Sequence, residues 1–151
     1  MTIELRPCIY YQSEAYSTAG PKLMGRNAAG ESFLNGYLDN GSSDEIWVYS
    51  NSKKEAQLFA DYSQKRGSTA IIKGVTKDNI GGLKDSGLLY YPGPDIERIA
   101  QERMLNDATG WSICGITHTT SSARAMDAIS GLLTAPIYPW DALICTSNAV
   151  K

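Results

Sequence analysis

"SICGITHTTSSARAMDAI" (Ser112–Ile129) decides how this chain is read. Its opening, Ser112 to Thr117, is small, apolar and β-branched, the composition of a buried strand. From about Ser122 the spacing changes. Met126, Ile129, Leu132 and Leu133 recur at helical intervals, and a strand that hands over to an amphipathic helix is half of a βαβ unit. The polar junction between them holds His118, the one histidine of the chain.

The same rhythm extends in both directions. "CIYY" (8–11), "EIWVYS" (45–50), "TAIIKGV" (69–75), "GLLYYPG" (87–93), "WSICGIT" (111–117) and "ALICTS" (142–147) read as strands. A loop with Gly20 and Pro21 leads to a helix around "ESFLNGYL" (31–38), where Phe33, Leu34, Tyr37 and Leu38 share one face. Ser52 and Glu55 fit the S-x-x-E capping box of a second helix, with Leu58, Phe59 and Tyr62 on its apolar side and Gly67 as terminator. Asp95 is placed to cap a third, in which the Arg103 stem lies along the apolar face. Pro136 and Pro139 end the helix that begins near Ser122, and "TKDNIGGLKDS" (76–86) reads as a loop or irregular turn. The expected fold is α/β: a Rossmann-like, doubly wound, mostly parallel sheet of about six strands with helices on both faces, in a single domain covering 1–151.

Composition narrows the function classes. The 151 residues are 42% apolar and 20% charged, with a formal net charge of -2, so no basic surface marks a nucleic-acid binder. No run approaches the ~20 apolar residues of a membrane span. The start, "MTIELRPCIYY", lacks the charged-then-apolar order of a signal peptide, and the default compartment is the cytoplasm. Cys8, Cys114 and Cys145 are odd in number, far apart and set in strand-like runs, which reads as buried free thiols rather than disulfides or a zinc site. No metal is expected.

Ligands of an open parallel sheet bind beyond the carboxyl ends of its strands. His118 falls at such an end, as do Asn51 and Ser147, and "GRNAAGES" (25–32) lies between the first strand and the first helix. That stretch is one residue from a phosphate-cradling loop, but Glu31 stands where the lysine would be, and its carboxylate repels phosphate. Two readings remain for Gly25, Arg26 and Asn27: backbone N–H groups meeting an anion with help from Arg26, or a tight turn that needs small residues. His118 also has two: a satisfied polar residue, or a proton acceptor and hydrogen-bond donor toward a sugar hydroxyl or a developing charge. The hydroxyls of Thr119, Thr120, Ser121 and Ser122, with Arg124 beyond, suit a polyol or phosphate, although helix capping needs only one of them. The nucleophile elbow G-x-S-x-G and the acidic cluster of receiver domains are both missing.

Taken together, "MGRNAAGESFL" (24–34), "ICGITHT" (113–119) and "DALICTSNAVK" (141–151) resemble the N-terminal domain of GT-B fold glycosyltransferases of the retaining family 4 type. The match to the phrase x-x-S-x-x-V-[KR] runs through Ser147, Val150 and Lys151. Two departures are plain: the first loop lacks the adjacent glycine pair common in that family, and Thr119 follows the histidine where many members carry Asp or another small residue.

The resemblance implies a metal-independent enzyme with no cofactor, which moves a sugar from a nucleotide-sugar donor to a glycan or other hydroxyl acceptor. His118 would be its catalytic residue. Gly25, Arg26 and Asn27 would approach the donor phosphates, and Thr119, Thr120 and Arg124 the acceptor or sugar. It also implies that these 151 residues are the acceptor-side half, inactive without a donor-binding C-terminal domain that carries an E-x7-E motif. The intact enzyme would be cytoplasmic or membrane-associated, and the isolated domain would bury its exposed face by forming a homodimer. The competing reading is a stand-alone α/β module that binds a sugar or phosphate ligand without catalysis.

Overall fold

The computed structural model describes residues 6–19, 25–41 and 44–151. The expected loop at Gly20 and Pro21, and Met24, lie outside the described residues. Six strands, β1 (Cys8–Tyr11), β2 (Glu45–Ser50), β3 (Ile71–Val75), β4 (Leu88–Tyr90), β5 (Ser112–Thr117) and β6 (Ala142–Cys145), alternate with helices α1 (Gly25–Asn40), α2 (Lys53–Lys65), α3 (Leu83–Ser86), α4 (Glu97–Asn106) and α5 (Ala123–Gly131). The pairings β1–β2, β2–β3, β4–β5 and β5–β6 are all parallel, as strands joined by helical crossovers must be. The chain is therefore α/β with a parallel sheet, in the expected Rossmann-like, doubly wound layout. It forms two compact units, 1–80 and 81–151.

In the first unit the strand order is β3-β2-β1. Every residue of β1 is buried, the mark of a parallel strand covered on both faces. The many tyrosines find their use here. Tyr10 stacks on Tyr49 with ring centroids 5.3 Å apart, and Tyr11 lies between Tyr16 and the edge of Phe59. The Tyr16 hydroxyl donates to the Tyr10 carbonyl at 2.7 Å, so a buried ring carries no unsatisfied polar tip.

α1 starts at Gly25, earlier than the apolar pattern suggests, because its first turns are held by packing rather than by an apolar stripe. Asn27 and Gly30 are buried there against the 3-10 turn Ser13–Tyr16. α2 realises half of the capping box. The Ser52 hydroxyl accepts the Glu55 N–H at 3.3 Å, but the Glu55 carboxylate accepts from the N–H and hydroxyl of Ser13 at 2.6 and 3.1 Å instead of returning to the cap. Gly67, at φ 83°, ends the helix as expected.

In the second unit the order is β4-β5-β6. Ile113, Gly115 and Thr117 of β5 are buried, in alternation with half-buried neighbours. Four details differ from the sequence reading. The segment 76–86 is a 3-10 turn, Lys77–Gly82, broken at Asn79, followed by α3; Ile80 and Leu83, three apart, are its buried residues. Asp95 does not cap α4, since its carboxylate accepts the Tyr91 hydroxyl at 3.2 Å. Arg103 does not merely lie along an apolar face: its side chain is fully buried against Asp141. Finally, Cys8 is buried but Cys114 is only half-buried and Cys145 is exposed, because β6 ends the strand order. No helix among the described residues is long and apolar enough to cross a membrane.

Candidate functional site

His118 sits one residue past β5, at the carboxyl end of that strand. It is half-buried, and desolvation holds its imidazole below the ordinary value of 6.5. That shift favours the neutral ring, in which one nitrogen donates and one accepts. Among the described residues the ring has no hydrogen-bond partner.

The hydroxyls around it divide into spent and unspent groups. Ser122 is the N-cap of α5 and accepts the Ala125 N–H at 3.1 Å. Thr117 donates to the Thr119 carbonyl, while the Thr119 hydroxyl accepts the Ser121 N–H and is bonded to the Ser121 hydroxyl. Three of the four hydroxyls after His118 therefore shape the turn. Among the described residues Thr120 and Arg124 have no side-chain hydrogen bond. Thr120 is half-buried and Arg124 is exposed on the first turn of α5. The predicted residues His118, Thr119, Thr120 and Arg124 are thus gathered at one strand–helix junction, with Thr119 already committed to local bonds.

Neighbouring strand ends complete this edge. The Tyr91 N–H donates to the Cys114 carbonyl at 2.8 Å and the Ile116 N–H to the Gly93 carbonyl at 3.1 Å, so the loop after β4 runs along β5. Gly115 permits that approach: a Cβ there would lie 2.7 Å from Ile96 Cγ2 and 2.8 Å from the Gly93 oxygen. Past β6, the Thr146 hydroxyl donates to the Thr117 carbonyl at 3.1 Å. The Tyr91–Asp95 pair was not singled out by sequence reasoning. The readable signal was "YYPGPD" (90–95), a Pro-Gly-Pro turn at a strand's carboxyl end.

In the first unit, Gly25, Arg26 and Asn27 share the first turn of α1. Gly25 and Arg26 are exposed, and no atom crowds Gly25. Asn27 points inward, and its Nδ2 donates to the Glu14 carbonyl at 2.6 Å. Its side chain is a fastening for the helix, which leaves the exposed backbone and Arg26 to meet an anion. Glu31, the residue that spoils the phosphate-loop pattern, accepts from the Thr18 hydroxyl at 2.8 Å. At the carboxyl ends of β1 and β2, Asn51 and Gln12 both donate to the Tyr10 hydroxyl, at 2.9 and 3.4 Å. Asn51 was expected at a strand end, whereas Tyr10 was read only as part of the first strand and is buried.

Among the described residues no three His, Cys, Asp or Glu side chains converge in a way that would hold a metal ion. No protein-family model matches this chain, and no curated protein or solved structure matches it.

Proposed function

We propose that this chain is the acceptor-side half of a GT-B type glycosyltransferase, which moves a sugar from a nucleotide-sugar donor to an acceptor hydroxyl. The observation that carries the reading is the half-buried His118 ring beyond β5, beside hydroxyls and the first turn of α5. A neutral imidazole accepts a hydrogen bond from a sugar hydroxyl at one nitrogen and donates one at the other, without charge repulsion. Partial removal from water strengthens both bonds. The exposed Arg124 and the α5 amide ends supply positive potential for a phosphate or an acceptor oxygen. Gly25 and Arg26 are assigned to the donor phosphates through backbone N–H groups and the guanidinium.

A single histidine makes the test direct, because its ring protons give one pair of NMR signals to follow. Nucleotide sugars and simple methyl glycosides are titrated in turn, and at least one should shift the His118 ring. In the intact enzyme His118→Ala should lower turnover by ~10²-fold, the low end for a lost acid–base group. A ring unmoved by every probe, together with near-normal turnover in the variant, defeats the assignment.

A further inference from the structure

The loop after β4 reads "YPGPD" (91–95). Its glycine serves close approach rather than a left-handed turn, since Gly93 is buried and is not among the positive-φ glycines. A Cβ at Gly93 would lie 2.6 Å from Asp95 Oδ1 and 3.1 Å from Cε1 of the Tyr91 ring. The missing side chain is the room in which that carboxylate and that ring come together. Pro92 and Pro94 fix φ on either side. Two three-residue turns, from the Gly93 N–H to the Tyr91 carbonyl and from the Ile96 N–H to the Pro94 carbonyl, both at 2.9 Å, fold the loop back. A stiff loop therefore holds one carboxylate in one place.

That carboxylate does not cap α4, which has no side-chain cap. Among the described residues Asp95 pairs with no cation. Its one hydrogen bond comes from the Tyr91 hydroxyl to Oδ2 at 3.2 Å, and Oδ1 accepts none. An ionised carboxylate has about four acceptor sites, and a half-buried one short of donors gains from any ligand that supplies them. Its surroundings select the ligand. The Ile116 N–H donates to the Gly93 carbonyl at 3.1 Å. Asp95 and His118 each stand two residues beyond that one bond, at the carboxyl ends of the paired strands β4 and β5. Hydroxyl groups suit both side chains, since they donate to a carboxylate in short, charge-assisted bonds and can either donate to or accept from an imidazole. A phosphate is repelled by the carboxylate, and among the described residues Asp95 belongs to no group that would hold a metal ion.

We infer that Asp95, held by Tyr91, binds hydroxyl groups of an uncharged sugar that lies across the ends of β4 and β5 and reaches His118. The inference rests on the transferase reading for that sugar's role as the acceptor. Tyr91 occupies Oδ2 and leaves Oδ1 for the ligand, so the carboxylate meets the sugar already oriented.

The test titrates methyl α-glucoside, methyl α-mannoside and methyl β-galactoside into the full chain and follows two NMR signals, the His118 ring protons and the Asp95 carboxyl carbon. At least one glycoside should move both along the same saturation curve. Asp95→Asn keeps the shape of the side chain and an acceptor for the Tyr91 hydroxyl. Its thermal midpoint should hold while its affinity for that glycoside falls by at least ~10-fold, the scale of a hydrogen bond to a charged group. The carbon signal of the unaltered chain is a readout that depends on no variant. A carboxyl carbon that stays put while the ring moves overturns the inference, and so does an Asp95→Asn chain that binds as tightly as the unaltered one. Nucleotide sugars that move the ring where no glycoside does overturn it and leave the transferase reading standing. A ring that answers to no probe removes both.

Discussion

Arg103 gathers a dense set of interactions. Its guanidinium donates to both Asp141 oxygens, at 2.6 and 2.7 Å, and to the carbonyls of Trp111 and Pro136, each at 3.0 Å. Asp141 in turn accepts the N–H groups of Ile113 and Tyr138, both at 2.8 Å. Two ions fully out of water are tolerable only because nearly every donor and acceptor is matched. The pair ties α4, β5 and the turn before β6 together, a structural task that sequence alone hides. Arginine in a helical pattern reads as a snorkelling surface residue, and its partner stands 38 residues away. Asp141→Ala strands a buried cation and two N–H groups, and should cost about 3–5 kcal/mol in urea unfolding. Arg103→Met should cost less, since Asp141 keeps its two N–H donors. The double variant should lose clearly less than the sum of the two; simple additivity would show that the side chains act separately.

Among the elements, α1 is the one whose stability is least local. It contains Gly25, Gly30 and Gly36, each weaker than alanine in a helix. Docking compensates, through Asn27 on Glu14, the Tyr37 hydroxyl donating to the Pro7 carbonyl at 3.4 Å and a Tyr62 hydroxyl bonded to Asn35. The glycines are not equivalent. A Cβ at Gly30 would overlap the Ala15 carbonyl oxygen, a backbone atom that can yield only if the 3-10 turn moves, whereas Gly36 has open space around it. Gly30→Ala should therefore destabilise by ~1–3 kcal/mol, and Gly36→Ala should stabilise by about 0.5–1 kcal/mol. Thermal unfolding of the two variants decides it, and equal shifts of one sign would rule out the docking account. At this scale the sequence was readable wherever apolar period and cap agreed, as in β2, α2 and β5. It was opaque where an element is held by distant groups: the early start of α1, the Glu55–Ser13 bond in place of a full capping box, and α4 without its Asp95 cap. The same division holds for the site. His118 was legible from its place at a strand end, while the commitment of Thr119 and Ser122 to the turn depended on local geometry that composition does not encode.

For the molecule as a whole, the perturbed ionisable groups combine into one pH profile of stability. At the alkaline end Cys8, Tyr11, Tyr37 and Tyr90 are all raised, each chiefly by burial, Tyr11 and Tyr37 to about 12. Raised values mean that the unfolded chain loses these protons first, so stability is intact below an ordinary thiol value of 9.0 and falls as pH climbs above it. On the acid side, Asp107 is lowered, chiefly by its hydrogen bond from Lys84, and its contribution fades only as pH drops through the carboxylate range. Among the described groups with a perturbed value, His118 alone falls between these limbs. Desolvation lowers its folded value below 6.5, so between the two values the unfolded chain binds more protons than the folded one. The slope of stability with pH is then positive: the contribution is whole above 6.5 and is lost as pH falls through the folded value. The unaltered chain should thus weaken on acidification from pH 7 before any carboxylate titrates, whereas His118→Gln should hold level until the carboxylate range and keep the alkaline limb unchanged. Unfolding midpoints measured at intervals across that range provide the check. A shoulder that persists in the variant would assign it to another group, and its absence from both proteins would mean that the imidazole is as well solvated in the fold as in the open chain.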